Sequence, residues 1–173
     1  MGSHSTTIKI IVAAIFFLAA VSCSSDRSKD RIKIGDPAPD FTVTDINGKP
    51  FHLSSWRGNP VVLRFWSTDC QYCRADTPIF NHFFNKYKER GLVVAYINRG
   101  ADEELVRGFA EDLDIPFPMI IDADLSISKN YNIRLDPQTI VISPEQKIIA
   151  AILGGVSEGE FRSLVGRYFP EKE

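Results

Sequence analysis

Apolar positions along this chain fall into two kinds of run. Val61-Val62-Leu63-Arg64-Phe65-Trp66 is a β-branched and aromatic block broken only by Arg64, the pattern of a buried strand. Ile79, Phe80, Phe83, Phe84 and Tyr87 then recur at helical spacing, and Gly91 follows, so 71–90 reads as a helix that stops at a glycine. Upstream, Phe41-Thr42-Val43-Thr44 and Pro50-Phe51-His52-Leu53 flank Asn47-Gly48, a strong hairpin signal. Residues 54–58 read as a short helical turn. The same reading predicts strand 60–66, strand 92–97, helix 102–113, strand 118–121 and short helix 125–131, then strands 138–142 and 147–153 and helix 157–168. Strands alternating with helices predict an α/β fold, a central sheet with helices on both faces. The closing hairpin around Ser143-Pro144-Glu145-Gln146 makes that sheet mixed.

The first residues break this pattern. Within residues 1–22 the one charged side chain is Lys9, followed by an uncharged run from Ile10 to Val21. That run is shorter than the roughly 20 residues of a bilayer span and suits the apolar core of an export signal. It ends in Leu18-Ala19-Ala20-Val21-Ser22-Cys23, which resembles a bacterial lipoprotein signal: residues 1–22 are removed and Cys23 carries lipid. Ala20 departs from the leucine usual in that signal, and an uncleaved anchor with an incidental cysteine is the alternative. Either way the domain is held at a membrane outside the cytoplasm, in the cell envelope, facing the periplasm or the outer surface. Ser24 to Lys33 is polar and charged, so 23–33 reads as the lipidated end and its tether. One domain, 34–169, follows without a second linker or an internal repeat.

Net charge is −2 for the whole chain and −3 without residues 1–22, from 19 basic and 22 acidic side chains. No basic cluster occurs, which argues against nucleic acid as a partner.

Of the three cysteines, Cys70 and Cys73 stand where the predicted strand hands over to the predicted helix. A helix start offers free amides and a positive dipole end, both of which stabilise a thiolate. A C-x-x-C pair beside a βαβ pattern reads as a redox dithiol. Half of a zinc site, or two buried structural cysteines, are the alternatives. The histidines are His4, His52 and His82, none at metal-ligand spacing from the pair, so neither a metal nor a cofactor is expected.

With the motifs in order, the chain resembles the thioredoxin fold, with an added N-terminal β-hairpin, and within it the exported, membrane-tethered TlpA/ResA-type thiol–disulfide oxidoreductases of the redoxin superfamily. The residues that carry the likeness are Gly35-Asp36-Pro37-Ala38-Pro39-Asp40-Phe41, Leu53-Ser54-Ser55-Trp56-Arg57-Gly58, Phe65-Trp66-Ser67-Thr68-Asp69-Cys70-Gln71-Tyr72-Cys73-Arg74-Ala75-Asp76-Thr77-Pro78, Ile115-Pro116-Phe117-Pro118 and Leu135-Asp136-Pro137-Gln138-Thr139. The resemblance implies that Cys70 is the exposed nucleophile and Cys73 the buried resolving thiol. It implies that Pro137 is a cis-proline facing them, whose preceding residue offers its backbone to an extended substrate. Asp76 falls where the family often has a glutamate near the buried thiol, a candidate proton acceptor; a solvated carboxylate in the first helical turns is the other reading. Pro78 implies a kinked helix. The implied partners are disulfide-containing exported proteins, apocytochrome c among them, and a membrane thiol electron donor, with the enzyme a monomer.

Several residues depart from the family pattern. Asp69 replaces tryptophan, Tyr72 proline, Asp136 threonine or valine, and Arg64 an asparagine or the buried aspartate of thioredoxin itself. With Asp69 and Asp136 flanking Cys70, like charge raises its pKa and points to a reducing couple. Arg64 is either a tuning cation or an ion-pair partner of Asp76. Two other functions stay open. A peroxiredoxin-like peroxidase shares the opening motif, but Ser67 and Leu63 stand where its threonine and proline belong. A metal-delivery module of the same fold uses a distal histidine, and none follows His82.

Overall fold

A computed structural model describes residues 32–170. The expected export signal, Cys23 and the expected tether up to residue 31 lie outside the described residues.

Strands β1 (Thr42–Thr44) and β2 (Pro50–His52) pair antiparallel across the Asn47-Gly48 turn. Asp45 organises that turn, its carboxylate accepting from the amides of Asn47 and Lys49 at 2.8 Å each. Leu53, expected to end the second strand, instead opens a 3-10 turn over Leu53–Trp56.

The main sheet has five strands: β3 (Val61–Trp66), β4 (Val93–Asn98), β5 (Met119–Ile121), β6 (Gln138–Ile142) and β7 (Ile148–Leu153). Their order is β5-β4-β3-β6-β7. β3, β4 and β5 run parallel, whereas β6 and β7 run antiparallel to their neighbours. The sheet is therefore mixed, as the closing hairpin predicts. β3 and β4 are buried at every position, which is why they read as unbroken apolar runs.

Helices α1 (Gln71–Tyr87), α2 (Glu103–Asp112) and α4 (Glu158–Val165) pack Phe80, Phe83, Val106, Phe109, Phe161 and Val165 against one face. The hairpin and the short helix α3 (Ser126–Asn130) cover the other with Phe51 and Ile127. The expected helices 71–90 and 157–168 each finish as a 3-10 turn, over Lys88–Arg90 and Gly166–Tyr168, the usual tightening at a helix end. Gly91 closes the first at φ +97°, and a Cβ there would collide with the Asn59 side chain. Only glycine suits both demands.

The N-terminal segment is sewn to the β6–β7 turn. Gly35 and Ala38 donate to the Ile148 and Gln146 carbonyls at 2.7 and 2.9 Å, and Ile148 donates back to Asp36 at 2.9 Å. No helix among the described residues is long and apolar enough to cross a membrane.

Candidate active site

β3 ends at Trp66, and a short turn delivers Cys70 to the N-cap of α1 with extended backbone. Its sulfur accepts the Cys73 amide at 3.1 Å. That helix-start amide, shared with the Cys70 carbonyl at 3.1 Å, thus points at the atom whose negative charge it would stabilise. The two cysteines form a disulfide, their Cα atoms 5.3 Å apart. Their environments differ: Cys70 is half-buried, while Cys73 is 0 % exposed within the apolar layer beneath α1. Thr77 braces this turn by donating to the Cys73 carbonyl at 2.6 Å, and lies 3.2 Å from the Tyr96 hydroxyl.

The Asp136–Pro137 peptide is cis. Gln138, next along, pairs with Phe65 in the antiparallel β3–β6 register, which brings Pro137 to the end of the sheet where Trp66 leads to the cysteines. The Gly154 amide donates to the Pro137 carbonyl at 2.8 Å. Three exposed apolar side chains rise from these segments: Tyr72 from the dithiol turn at 58 %, Leu135 beside the cis bond at 62 %, and Leu153 before Gly154 at 60 %.

Asp76 is not a solvated carboxylate. It is 5 % exposed, and its Oδ2 accepts from Arg64 Nη2 at 2.5 Å and from the Val156 amide at 2.9 Å. Its Oδ1 is buried without a partner. Burial pushes the Asp76 carboxyl up, against the opposing pull of the Arg64 cation and the Val156 amide. Arg64 is fully buried, and burial works against its charge as well, but a guanidinium starts so high that it stays protonated. Its Nη1 donates to Thr139 Oγ1 at 2.7 Å and to the Gly154 carbonyl at 3.0 Å, and its plane lies 5.2 Å from the Phe80 ring centre. The structure therefore gives Arg64 the ion-pair arrangement.

Asp136 corrects an expectation. It is not a bare anion beside Cys70, because Arg99 Nη1 lies 3.1 Å from its Oδ2 and both side chains are largely covered. Burial raises the Asp136 carboxyl, Arg99 opposes that, and the negative charge of Asp69 adds to it. Asp69 itself is exposed.

Arg99, Gly154 and Val156 were not signalled by any motif, and Thr139 stood in the Leu135–Thr139 motif without a role of its own. Arg99 follows the carboxyl end of a parallel strand, the edge where α/β sheets gather their chemistry, and that position was the available hint. Among the described residues, no group of three or more His, Cys, Asp or Glu side chains is disposed to hold a metal ion.

With this geometry in view, the chain matches the AhpC/TSA family over residues 34–151. It is 30 % identical over 142 residues to the thiol-disulfide oxidoreductase ResA of Bacillus cereus, covering 82 % of each chain. It is 31 % identical over 130 residues to the enzyme of that name from Bacillus subtilis (strain 168), covering 75 % of this chain and 73 % of that one. Among solved structures, the thioredoxin domain of a thiol-disulfide oxidoreductase from Bacteroides vulgatus superposes with a TM-score of 0.71 at 25 % identity, over 79 % of this chain and 98 % of that one.

Proposed function

This chain belongs to the AhpC/TSA family, among its ResA-type thiol–disulfide oxidoreductases, and from that premise we propose that it reduces disulfides in exported proteins through Cys70 and Cys73. The Cys70 thiolate attacks one sulfur of the partner's disulfide. A mixed disulfide forms and the partner's other sulfur leaves as a thiolate. Cys73 then gives up its proton and attacks Cys70, closing the intramolecular disulfide and releasing the partner fully reduced. Two electrons pass from the dithiol to the partner, and a membrane-held thiol donor restores the dithiol.

The observation that carries this reading is the asymmetry of the pair. Cys70 is reachable and sits under a helix-start amide, while Cys73 is enclosed one turn below. The exposed Tyr72, Leu135 and Leu153 suit a polypeptide substrate, whose apolar side chains they would cover. Apocytochrome c is the substrate we propose by family analogy. The domain over 34–169 acts as a monomer tethered through a lipid on Cys23, outside the cytoplasm.

Reduction of a protein disulfide by the purified domain tests the mechanism. Cys70→Ser should abolish turnover, and Cys73→Ser should accumulate mixed disulfides that a non-reducing gel resolves. A Cys73→Ser protein that turns over normally would refute these roles, and rapid peroxide consumption would favour a peroxidase instead. Mass spectrometry of membrane-extracted protein tests Cys23: an unmodified cysteine or a retained 1–22 segment excludes the lipoprotein reading.

A further inference from the structure

We infer that Arg64 is a positioning residue that holds the dithiol helix and the cis-proline edge in register and turns one oxygen of Asp76 into the acceptor for the Cys73 proton. This rests on the dithiol reading above.

A guanidinium with no solvent exposure beneath a helix is unfavourable unless its hydrogen bonds are well made, so what it binds is informative. One planar group here joins three chain segments. Through Nη2 it holds Asp76, three residues beyond Cys73 on α1. Through Nη1 it holds Thr139, two residues beyond Pro137, and the carbonyl of Gly154. Gly154 in turn binds the Pro137 carbonyl through its amide. Both chains that fix Pro137 are thereby tied to the helix that carries the cysteines. A lysine could supply the charge but not this fork of donors.

The same contacts sort the two oxygens of Asp76. Arg64 and the Val156 amide both engage Oδ2, whereas Oδ1 is buried and unpartnered. Residues three apart on a helix share a face, and Cys73 and Asp76 are both buried on α1. Oδ1 is therefore the lone pair left for the enclosed thiol. In the resolving step the Cys73 S–H proton passes to Oδ1. The sulfur's electron pair forms the bond to Cys70 Sγ, the bond from Cys70 to the partner breaks, and the partner's sulfur leaves with that pair. The proton on Asp76 is then lost to solvent.

The charged and titratable groups that act on Asp76 or on its Arg64 partner are Arg64 from β3, Tyr96 from β4 and Asp136 from the loop before β6, with Cys73 three residues back on α1 itself. Tyr96 is held neutral by burial, and Asp136 is engaged by Arg99. Arg64 is thus the cation that opposes the effect of burial on Asp76. Without it the carboxyl rises further and stays protonated over a wider range of pH, in which it cannot accept from Cys73.

The test is single-turnover reduction of a protein disulfide and of a small aromatic disulfide, followed from acid to alkaline pH, for wild type, Arg64→Lys and Arg64→Met. Arg64→Met should move the acid limb of the resolving step to higher pH and slow it at neutral pH by about tenfold or more, with both substrates. Arg64→Lys should return the limb to its wild-type position while KM for the protein disulfide stays raised several-fold. KM for the small disulfide, which needs no docking edge, should be unchanged. Should Arg64→Met fail to fold, the uncharged pair Arg64→Met/Asp76→Asn replaces it and should lack the Asp76 limb altogether. A wild-type limb in Arg64→Met or in that double variant, or no restoration by Arg64→Lys, overturns the inference. Failure of the underlying reading looks different, since Cys70→Ser would then retain activity.

Discussion

The two faces of β3 are made from one six-residue segment and do opposite things. Val61, Leu63 and Phe65 point into a layer built with Phe51, Ile97, Ile120, Ile140 and Tyr131, in which the Tyr131 hydroxyl reaches the Pro39 carbonyl at 2.8 Å. Val62, Arg64 and Trp66 face the other layer, where Cys73, Asp76, Thr77 and Tyr96 are buried among phenylalanines. Arg64 Nε, Trp66 Nε1 and Asp76 Oδ1 lack partners on that side, and unpaired buried polar atoms are costly. One face thus supplies stability, and the other gives some of it up to hold a polar site under the dithiol. Strand alternation lets a single segment do both without a compromise at any one position.

That division can be broken deliberately. Asp76→Asn leaves Arg64 as an uncompensated buried cation and should destabilise the fold by about 3–5 kcal/mol, while also slowing the resolving step. Urea denaturation and turnover should fall together. Leu63→Ala, on the opposite face of the same strand, should cost about 2–5 kcal/mol yet leave activity per folded molecule unchanged. A loss of activity there would show that the faces are not independent.

Stability should also depend on pH through Asp76 on the polar face. Because burial raises the Asp76 carboxyl, the folded protein takes up that proton before the unfolded chain does. Its contribution is full below the unfolded value and is lost as pH rises through the folded one. Urea midpoints should therefore carry a downward slope across that window which Asp76→Asn lacks and Leu63→Ala keeps. Away from both faces, Ser157 caps α4 in a reciprocal box with Glu160. Ser157→Ala should cost about 1 kcal/mol with redox behaviour intact. Asp69→Asn should have the smallest effect: removing an exposed anion beside Cys70 favours the thiolate and makes the couple slightly more oxidising by glutathione equilibration. Asp136→Asn should do less to Cys70, since Arg99 already offsets that charge.

The elements of the fold were legible because each is decided locally. Apolar blocks marked β3 and β4, the Phe80–Phe83–Tyr87 spacing marked α1, and Asn47-Gly48 marked the hairpin. Cys70 and Cys73 were legible because three-residue spacing at a helix start is itself the signal. Burial of Asp76 was not, since a carboxylate early in a helix is ordinarily solvated, and only the Arg64 and Val156 contacts, 12 and 80 residues away in sequence, explain it. The Thr139 and Gly154 ends of the Arg64 contacts lie 75 and 90 residues away, distances at which periodicity carries no information. Helix ends were misjudged by a turn for a smaller reason: the last residues keep helical composition while their hydrogen bonds tighten to 3-10 geometry.

The stitching of Gly35, Asp36 and Ala38 to Gln146 and Ile148 sets a direction for the whole molecule. β7 begins at that seam and finishes at Leu153, beside the Gly154 that braces Pro137. Five steps of about 3.3 Å put roughly 17 Å of sheet between them. The chain therefore enters the domain at one pole and carries its dithiol at the other. Under the proposed anchoring through Cys23, the tether would join the domain at the pole away from its reactive sulfur, leaving that sulfur open to polypeptides.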